Sequence, residues 1–96
     1  MRITLELMSG AQDGEVMKIS RTSTIGREKS NEIPLQYDRY ISRRHARIIV
    51  NDPLVYLEDL SSTNGTYYDG ERLTGRVQLE NGEHCRIGRT WMQINW

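Results

Sequence analysis

Four short polar stretches, found in a fixed order along this chain of 96 residues, contain the residue types best suited to binding chemistry. They are Gly26-Arg27, Ser42-Arg43-Arg44-His45, Ser62-Thr63-Asn64-Gly65-Thr66 and Asp69-Gly70. A guanidinium group presents a planar fork of donors that matches phosphate oxygens, and hydroxyl and amide groups add donors of shorter reach. Together the four stretches predict a phosphate-binding rim.

Each stretch also has a simpler interpretation when it is taken alone. Arg27 follows Gly26 at the end of a strand pattern, where the glycine could let the backbone turn, but Gly-Arg pairs are common by chance. Ser42 and the two arginines after it place a hydroxyl and two guanidinium groups in one loop, which suits an oxyanion. The same loop is equally compatible with a solvated basic turn, so the prediction depends on the whole set.

Catalytic and metal-binding interpretations find little support. His45 has the side chain of a general base or metal ligand, but the only other histidine is His84, and no Cys, Asp or Glu lies at ligand spacing from either. We therefore predict that His45 is a buried imidazole that ties loop backbone together. Cys85 follows His84 in a strand pattern, so their side chains face opposite ways and Cys85 is predicted to be core. We expect no enzyme activity, no cofactor and no metal site.

Composition restricts the class of protein further. The chain has 13 basic and 13 acidic side chains, so it lacks the overall positive field of a general nucleic-acid or membrane-surface binder. A single cysteine excludes an internal disulfide, and no apolar run is long enough for a signal peptide or a membrane span. These features predict one domain over residues 1–96, in the cytoplasm, with no nucleic-acid partner and no membrane insertion.

The elements that must position the rim are predicted to be short strands. Apolar residues alternate at Ile3, Leu5 and Leu7, at Val55 and Leu57, and at Val77 and Leu79. Turn residues recur about every 8 to 12 positions, as in a sandwich or barrel, and Asp69-Gly70 suits a two-residue hairpin turn. Further strand candidates are Val16 to Ile19, Ser23 to Arg27, Ala46 to Val50, His84 to Ile87 and Trp91 to Trp96. The chain is predicted to be all-β.

The tryptophans and most of the tyrosines fall within or beside these strand patterns. We predict that they cover a sheet face or the core, because no basic stripe interleaves them as in a base-stacking platform. The residues concerned are Tyr56, Tyr67, Tyr68, Trp91 and Trp96.

The order Gly-Arg, Ser-x-x-His, Ser-Thr-Asn-Gly-Thr and a two-residue Asp-Gly turn closely resembles the forkhead-associated (FHA) domain family. Each motif is common, but the set in this order and spacing is specific. The resemblance implies an FHA/SMAD-like β-sandwich of about eleven strands whose loops at one end bind phosphothreonine peptides. It implies a phosphothreonine-containing partner, either a Ser/Thr kinase or its substrate, and a module for signalling interactions that is a monomer or weak oligomer.

The resemblance also implies roles for individual positions. Arg27 resembles the arginine that contacts the phosphate, and Ser42 resembles the serine whose hydroxyl contacts the same group. Thr63 resembles a residue that adds a phosphate or backbone contact, and Asn64 the asparagine that hydrogen-bonds the peptide main chain. Arg43 lies where the family varies, and is expected to add a second cation or hold the peptide backbone.

Three further positions, Gly26, His45 and Gly65, resemble residues that shape the loops without touching ligand. The chain departs from the family at Glu32, where an aspartate is frequent, and at Ser61, where a glycine is frequent; neither departure is expected to affect the phosphate contacts. The alternative function is a phospho-independent adaptor or self-association module, whose binding would survive loss of Arg27.

Overall fold

The chain folds entirely into short strands joined by turns and loops. A computed structural model describes residues 1–96 and contains eleven strands, with no helix that is long and apolar enough to cross a membrane. The strands are β1 (Ile3–Leu7), β2 (Val16–Ile19), β3 (Ser23–Gly26), β4 (Ile33–Pro34), β5 (Ala46–Asn51), β6 (Leu54–Asp59), β7 (Thr66–Tyr68), β8 (Glu71–Arg72), β9 (Arg76–Gln78), β10 (Glu83–Ile87) and β11 (Thr90–Asn95).

The strands form two sheets. One has six strands in the order β2-β1-β11-β10-β7-β8, and the other has five in the order β4-β3-β5-β6-β9. All neighbouring strands pair antiparallel except β3 and β4, which are parallel. The predicted all-β sandwich of about eleven strands is therefore confirmed.

Alternating apolar residues build the core between the sheets. Ile3, Leu5 and Leu7 of β1 are fully buried, whereas Glu6 between them is exposed. Sixteen buried apolar residues pack into one cluster; most lie on strands of the two sheets, and three, Leu35, Ile41 and Leu79, lie in loops. Burying one Val, Leu, Ile or Met side chain stabilises the folded state by about 1.5–3 kcal/mol. This cluster therefore holds the two sheets together, and the loops at the ends of the strands lie outside most of it.

The hairpin at Asp69-Gly70 forms as predicted, with φ angles of 53° and 77° at its two turn residues. Asp and Gly tolerate this left-handed region, which matches the twist of the flanking strands β7 and β8. Only β4 lacks a sequence signal, because its two residues, Ile33 and Pro34, are too few to show alternation.

Two tyrosines of the sheets have an arginine side chain against the ring, a contact that the sequence did not suggest. The Arg86 guanidinium lies 4.1 Å from the centre of the Tyr67 ring, and the Arg76 guanidinium lies 5.2 Å from that of Tyr56. Arg86 and Tyr67 are direct partners on β10 and β7, which the linear sequence cannot show. The tyrosines are half-buried, so the predicted placement on a sheet face stands.

Candidate functional site

Three loops meet at one end of the sandwich: β3–β4, β4–β5 and β6–β7. Between them lies a depression of about 170 Å³. Four of the five residues predicted to contact ligand line it, whereas Arg43 does not. The lining residues are Arg27, Arg39, Tyr40, Ile41, Ser42, Thr63 and Asn64.

Arg27 begins the β3–β4 loop directly after β3. Its backbone N–H donates to the Ser42 carbonyl at 3.0 Å. This hydrogen bond holds the Arg27 backbone beside the β4–β5 loop. The exposed guanidinium has one long contact, 3.5 Å from Nη1 to the Arg39 carbonyl, and no ion pair. Most of its donors are therefore free to bind an anion.

Ser42 and Thr63 bring two hydroxyls to the same depression. The Ser42 Oγ accepts a hydrogen bond from the Thr63 backbone N–H at 3.1 Å, so the hydroxyl hydrogen remains free to donate outward. The Thr63 hydroxyl is exposed and has no hydrogen-bond partner within the chain. The loops thus present a guanidinium and two free hydroxyl donors together.

Asn64 joins the β6–β7 loop to the β4–β5 loop. Its side-chain Nδ2 donates to the Tyr40 carbonyl at 2.9 Å. This contact orients the amide and leaves its carbonyl oxygen and second N–H unpaired, which is the pair of groups needed to bond an extended peptide backbone.

Gly26 is required for a reason that differs from the predicted one. It has no positive φ, so it is not needed for a turn. A Cβ at this position would overlap the Arg43 carbonyl oxygen and lie 2.7 Å from the Asn31 Nδ2. That carbonyl also accepts a 2.8 Å hydrogen bond from Asn31 Nδ2, so close packing of backbone on backbone excludes a side chain.

His45 is fully buried and links two loops through both ring nitrogens. The Ser42 backbone N–H donates to Nδ1 at 3.0 Å, and Nε2 lies 2.8 Å from the Gly65 carbonyl. Because Nδ1 accepts, Nε2 must carry the proton and donate to the carbonyl. Burial lowers the pKa of this imidazole, an effect that the Gly65 carbonyl partly opposes. The ring is therefore neutral, as its structural position requires.

The lowered pKa of His45 predicts that the free energy of unfolding decreases as the pH is lowered. An unfolded histidine takes up a proton near pH 6.5, whereas the buried ring resists it, so the unfolded state binds more protons below that pH. Between pH 7.5 and 5.5 we expect the free energy of unfolding to decrease on acidification, with a limiting slope of about 1.4 kcal/mol per pH unit. Denaturant titrations across this range measure it. The exposed His84 supplies the control: a slope that disappears in His84→Asn would contradict the assignment to His45.

The β6–β7 loop is organised from within by Asp59, at the end of β6. Its carboxylate accepts hydrogen bonds from the Ser62 backbone and hydroxyl and from the Thr66 hydroxyl, at 2.6–3.1 Å. Burial opposes ionisation of Asp59, but these hydrogen bonds hold the pKa of the carboxyl below its ordinary value. Ser62 Oγ in turn accepts from the Gly65 N–H at 3.0 Å. The carboxylate thus fixes the loop that carries Thr63 and Asn64.

Arg72 supports the same loop from β8, a role that the sequence did not suggest. Its Nη2 lies 3.4 Å from the Ser62 carbonyl and 3.3 Å from the Thr63 carbonyl. A Cβ at Gly65, where φ is 91°, would lie 2.7 Å from the Arg72 Nε. Gly65 is therefore required both by its backbone conformation and by the arginine packed on it.

Ser61 has a φ of 58°, where a glycine would lie without strain. The left-handed conformation costs a residue with a Cβ about 1–2 kcal/mol, whereas glycine costs about 0.5–1 kcal/mol in extra unfolded-state entropy. We therefore expect Ser61→Gly to raise the free energy of unfolding by about 0.5–1 kcal/mol. Thermal unfolding measures the change. Ser20, which is exposed and has no positive φ, is the matched control, and Ser20→Gly is expected to lower stability. Equal effects at the two positions would contradict the argument.

The two departures from the family pattern lie away from the depression's lining. Glu32 accepts hydrogen bonds from the Thr24 hydroxyl and backbone, which lower the pKa of its carboxyl to about 2. Neither Glu32 nor Ser61 lines the depression.

A second groove of about 240 Å³ adjoins the depression and shares Arg39 and Tyr40 with it. The β1–β2 loop and the turn between β10 and β11 form its other walls. Asp38 joins these parts, accepting from the Tyr40 and Arg89 backbone N–H groups and from the Thr90 hydroxyl. Sequence reasoning missed this groove. Asp38, two residues before Tyr40, is a residue type that indicates a local turn. Its contacts with Arg89 and Thr90 span 51 and 52 positions, and such distant contacts leave no pattern in the neighbouring sequence.

The remaining candidate chemical groups lie elsewhere. Cys85 is buried in the core on the face opposite to the exposed His84, as predicted, and burial raises the pKa of its thiol to about 12. No three His, Cys, Asp or Glu side chains are grouped in a way that could hold a metal ion.

Comparison with known proteins identifies the family. A sequence model of the FHA domain matches residues 23–88. The chain belongs to the forkhead-associated (FHA) domain family. This match contains every motif of the predicted rim and confirms the resemblance.

Individual FHA proteins agree with this assignment. FHA domain-containing protein FhaB of Mycobacterium tuberculosis is 37% identical over 91 residues, covering 94% of this chain and 58% of FhaB. The FHA domain of the Chlamydia trachomatis protein CT664 superposes with a TM-score of 0.91 at 29% identity, covering 100% of this chain and 98% of that one. A domain from a structural and functional analysis of phosphothreonine-dependent FHA domain interactions superposes with a TM-score of 0.88 at 29% identity, covering 100% of this chain and 97% of that one. The chain thus spans about 58% of the length of FhaB.

Proposed function

We propose that this FHA domain binds phosphothreonine in partner proteins and so mediates phosphorylation-dependent protein–protein interaction. The observation that carries the proposal is the depression in which the free guanidinium of Arg27 and the free hydroxyls of Ser42 and Thr63 converge. The related domain studied for phosphothreonine-dependent interactions supports the choice of ligand.

The chemistry of a phosphate fits these donors. Phosphothreonine has a charge of about −1.5 to −2 at pH 7 and three strong acceptor oxygens. Arg27 would bind two of these oxygens through its planar fork, while Ser42 and Thr63 donate their hydroxyl hydrogens. Asn64 would hold the peptide main chain beside the phosphothreonine. Arg43, outside the depression, would add positive charge at its margin or contact the peptide backbone.

The partner class follows from this ligand. A phosphothreonine-containing protein, either a Ser/Thr kinase or its substrate, would present the modified segment to the rim. The module would act by binding alone, without catalysis, and the cytoplasmic location inferred from the sequence stays a prediction. The chain spans only part of the length of FhaB. The proposal therefore concerns this domain, and the activity of any longer protein that contains the domain would also be a proposal.

Binding to peptide libraries tests the proposal. Three degenerate libraries of the same length, with phosphothreonine, phosphoserine or unmodified threonine at the fixed position, are compared on the wild-type domain. We expect binding to phosphothreonine, weaker binding to phosphoserine by up to about fourfold if the threonine methyl is buried, and no binding to threonine. Equal binding to all three would instead support a phospho-independent adaptor.

A further inference from the structure

Two ligand-facing side chains of the depression are held by consecutive carbonyl groups of one loop segment, residues 36–40. Asn64 Nδ2 donates to the Tyr40 carbonyl at 2.9 Å, and Arg27 Nη1 lies 3.5 Å from the Arg39 carbonyl. The two side chains come from two other loops, β6–β7 and β3–β4. The orientation of Asn64, which has the shorter contact, therefore depends on where this segment lies.

The segment has few attachments of its own to the sandwich. Apart from the contacts made by Arg27 and Asn64, the only hydrogen bonds that join it to a distant part of the chain are those of the Asp38 carboxylate. Asp38 Oδ2 accepts from the Arg89 backbone N–H at 2.8 Å and from the Thr90 hydroxyl at 2.7 Å. One carboxylate thus anchors the segment to the turn between β10 and β11.

The turn between β10 and β11 gives this anchor a rigid base. Thr90 is buried and pairs with Ile87 across the two strands, so its hydroxyl needs a partner within the protein. A Cβ at Gly88 would lie 2.6 Å from Ile41 Cγ1 and 3.0 Å from Asp38 Oδ2, which shows that the turn and the β4–β5 loop are in close contact. The carboxylate is therefore fixed on the side of the turn.

The other carboxylate oxygen of Asp38 sets the conformation of the segment. Asp38 Oδ1 accepts from the Tyr40 backbone N–H at 2.9 Å, the local contact by which an aspartate closes a turn on its own backbone. The Asp38 carbonyl also accepts from the Ile41 N–H at 3.1 Å. A continuous path of hydrogen bonds thus runs from the β10–β11 turn through Asp38 and Tyr40 to Asn64.

We propose that Asp38 is a positioning residue for phosphothreonine binding, which acts through Tyr40 to hold Asn64 in the orientation that bonds the peptide main chain. Asp38 does not line the depression itself. The inference rests on the proposed function and adds to it a residue outside the ligand contacts that determines affinity. Because the carboxylate and the ligand are both anionic, the charge of Asp38 alone opposes binding. Its positioning effect and its charge effect therefore have opposite signs.

Replacing Asp38 with asparagine tests which effect dominates. Asparagine has nearly the same shape, but one of its two polar atoms is a donor, so it cannot accept from both Tyr40 and the β10–β11 turn. Loss of the charge alone would tighten binding of a phosphothreonine peptide by about twofold at low salt. We expect the opposite, a binding constant about five- to tenfold weaker, measured by titration calorimetry with a phosphopeptide selected from the library.

Glu28 is the matched control for charge. It is exposed in the β3–β4 loop at the same end of the sandwich, and its carboxylate has neither a hydrogen bond nor an ion pair within the chain. Glu28→Gln removes the same charge and should bind the peptide as tightly as the wild type or up to about twofold more tightly. Thr90→Val keeps the charge of Asp38 but removes one of its donors, and should weaken binding by about two- to fivefold.

A double-mutant cycle with Asn64 separates positioning from a general loss of stability. In the Asn64→Ala background the Tyr40 carbonyl has no amide to orient, so adding Asp38→Asn should no longer weaken binding, and only the small effect of charge should remain. Asn64→Ala keeps the guanidinium and hydroxyl donors of the depression, so its residual affinity can be measured. Denaturant titration checks that each variant is folded. If Asp38→Asn does not fold, Thr90→Val takes its place in the cycle.

The outcomes separate this inference from the proposed function. Binding by Asp38→Asn that equals or exceeds that of the wild type overturns the positioning role while phosphothreonine binding stands. The same follows if Asp38→Asn weakens binding equally with and without Asn64, or if Glu28→Gln weakens it as much. Failure of the wild-type domain to bind any phosphopeptide overturns both the inference and the proposed function.

Discussion

Replacing Arg27 with alanine is expected to abolish useful binding of phosphothreonine peptides. Hydrogen bonds to charged groups contribute about 1.5–3 kcal/mol each, and a loss of 1.4 kcal/mol already corresponds to tenfold in affinity. The guanidinium can form two such bonds, so the loss should exceed about tenfold. Titration calorimetry with a phosphopeptide selected from the library measures it.

Two companion variants sharpen the result for Arg27. Arg27→Lys keeps the positive charge but loses the planar fork, so its affinity should lie between those of the wild type and Arg27→Ala. Arg2→Ala removes an arginine from the other end of the sandwich and should bind normally. Because the Arg27 side chain is exposed, the thermal unfolding of Arg27→Ala should match that of the wild type. An affinity within about tenfold of the wild type would show that Arg27 is not the principal phosphate ligand.

Gly26→Ala is expected to damage both the fold and the site. The added methyl group would overlap the Arg43 carbonyl oxygen, which belongs to backbone and cannot swing away as a side chain can. Relief requires the β4–β5 loop to move from β3, which breaks the Asn31 hydrogen bond to that carbonyl. Overpacking costs about 1–3 kcal/mol and a broken buried hydrogen bond adds to it. We expect the free energy of unfolding to fall by about 3 kcal/mol or more, measured by denaturant titration.

Gly75 is the matched control for this steric argument. A Cβ at Gly75 meets nothing within 4 Å, although its φ of 91° strains any other residue. Gly75→Ala should therefore cost only the backbone strain of about 1–2 kcal/mol and leave phosphopeptide binding unchanged. If Gly26→Ala were no more harmful than Gly75→Ala, close packing against Arg43 would not explain the glycine.

The strands and the rim loops could be predicted because both depend on local patterns. Burial of every second residue in β1 is visible as alternation at Ile3, Leu5 and Leu7, and the turn at Asp69-Gly70 is set by two adjacent residue types. The order of the motifs brought the rim residues together through their resemblance to a family. No single motif was sufficient for that inference.

What remained hidden depends on contacts between distant parts of the chain. Asp38 holds a turn 51 residues away through the backbone of Arg89, and Arg86 stacks on Tyr67 across two paired strands. The sequence also could not show why position 26 must be glycine, because the Arg43 carbonyl that occupies the space of a side chain there comes from a distant loop. Such features depend on how the sheets and loops pack.

The hydrogen bonds that join the loops have a consequence for the speed of recognition. Ser42 is already bonded to the Thr63 backbone and Asn64 to the Tyr40 carbonyl without any ligand, so no loop has to close over an arriving peptide. Rigid patches of this kind associate at about 10⁵–10⁷ M⁻¹s⁻¹, and differences in affinity among related ligands then lie mainly in dissociation. A phosphorylated partner would be captured at a rate set by encounter, and its own sequence would determine how long it stays.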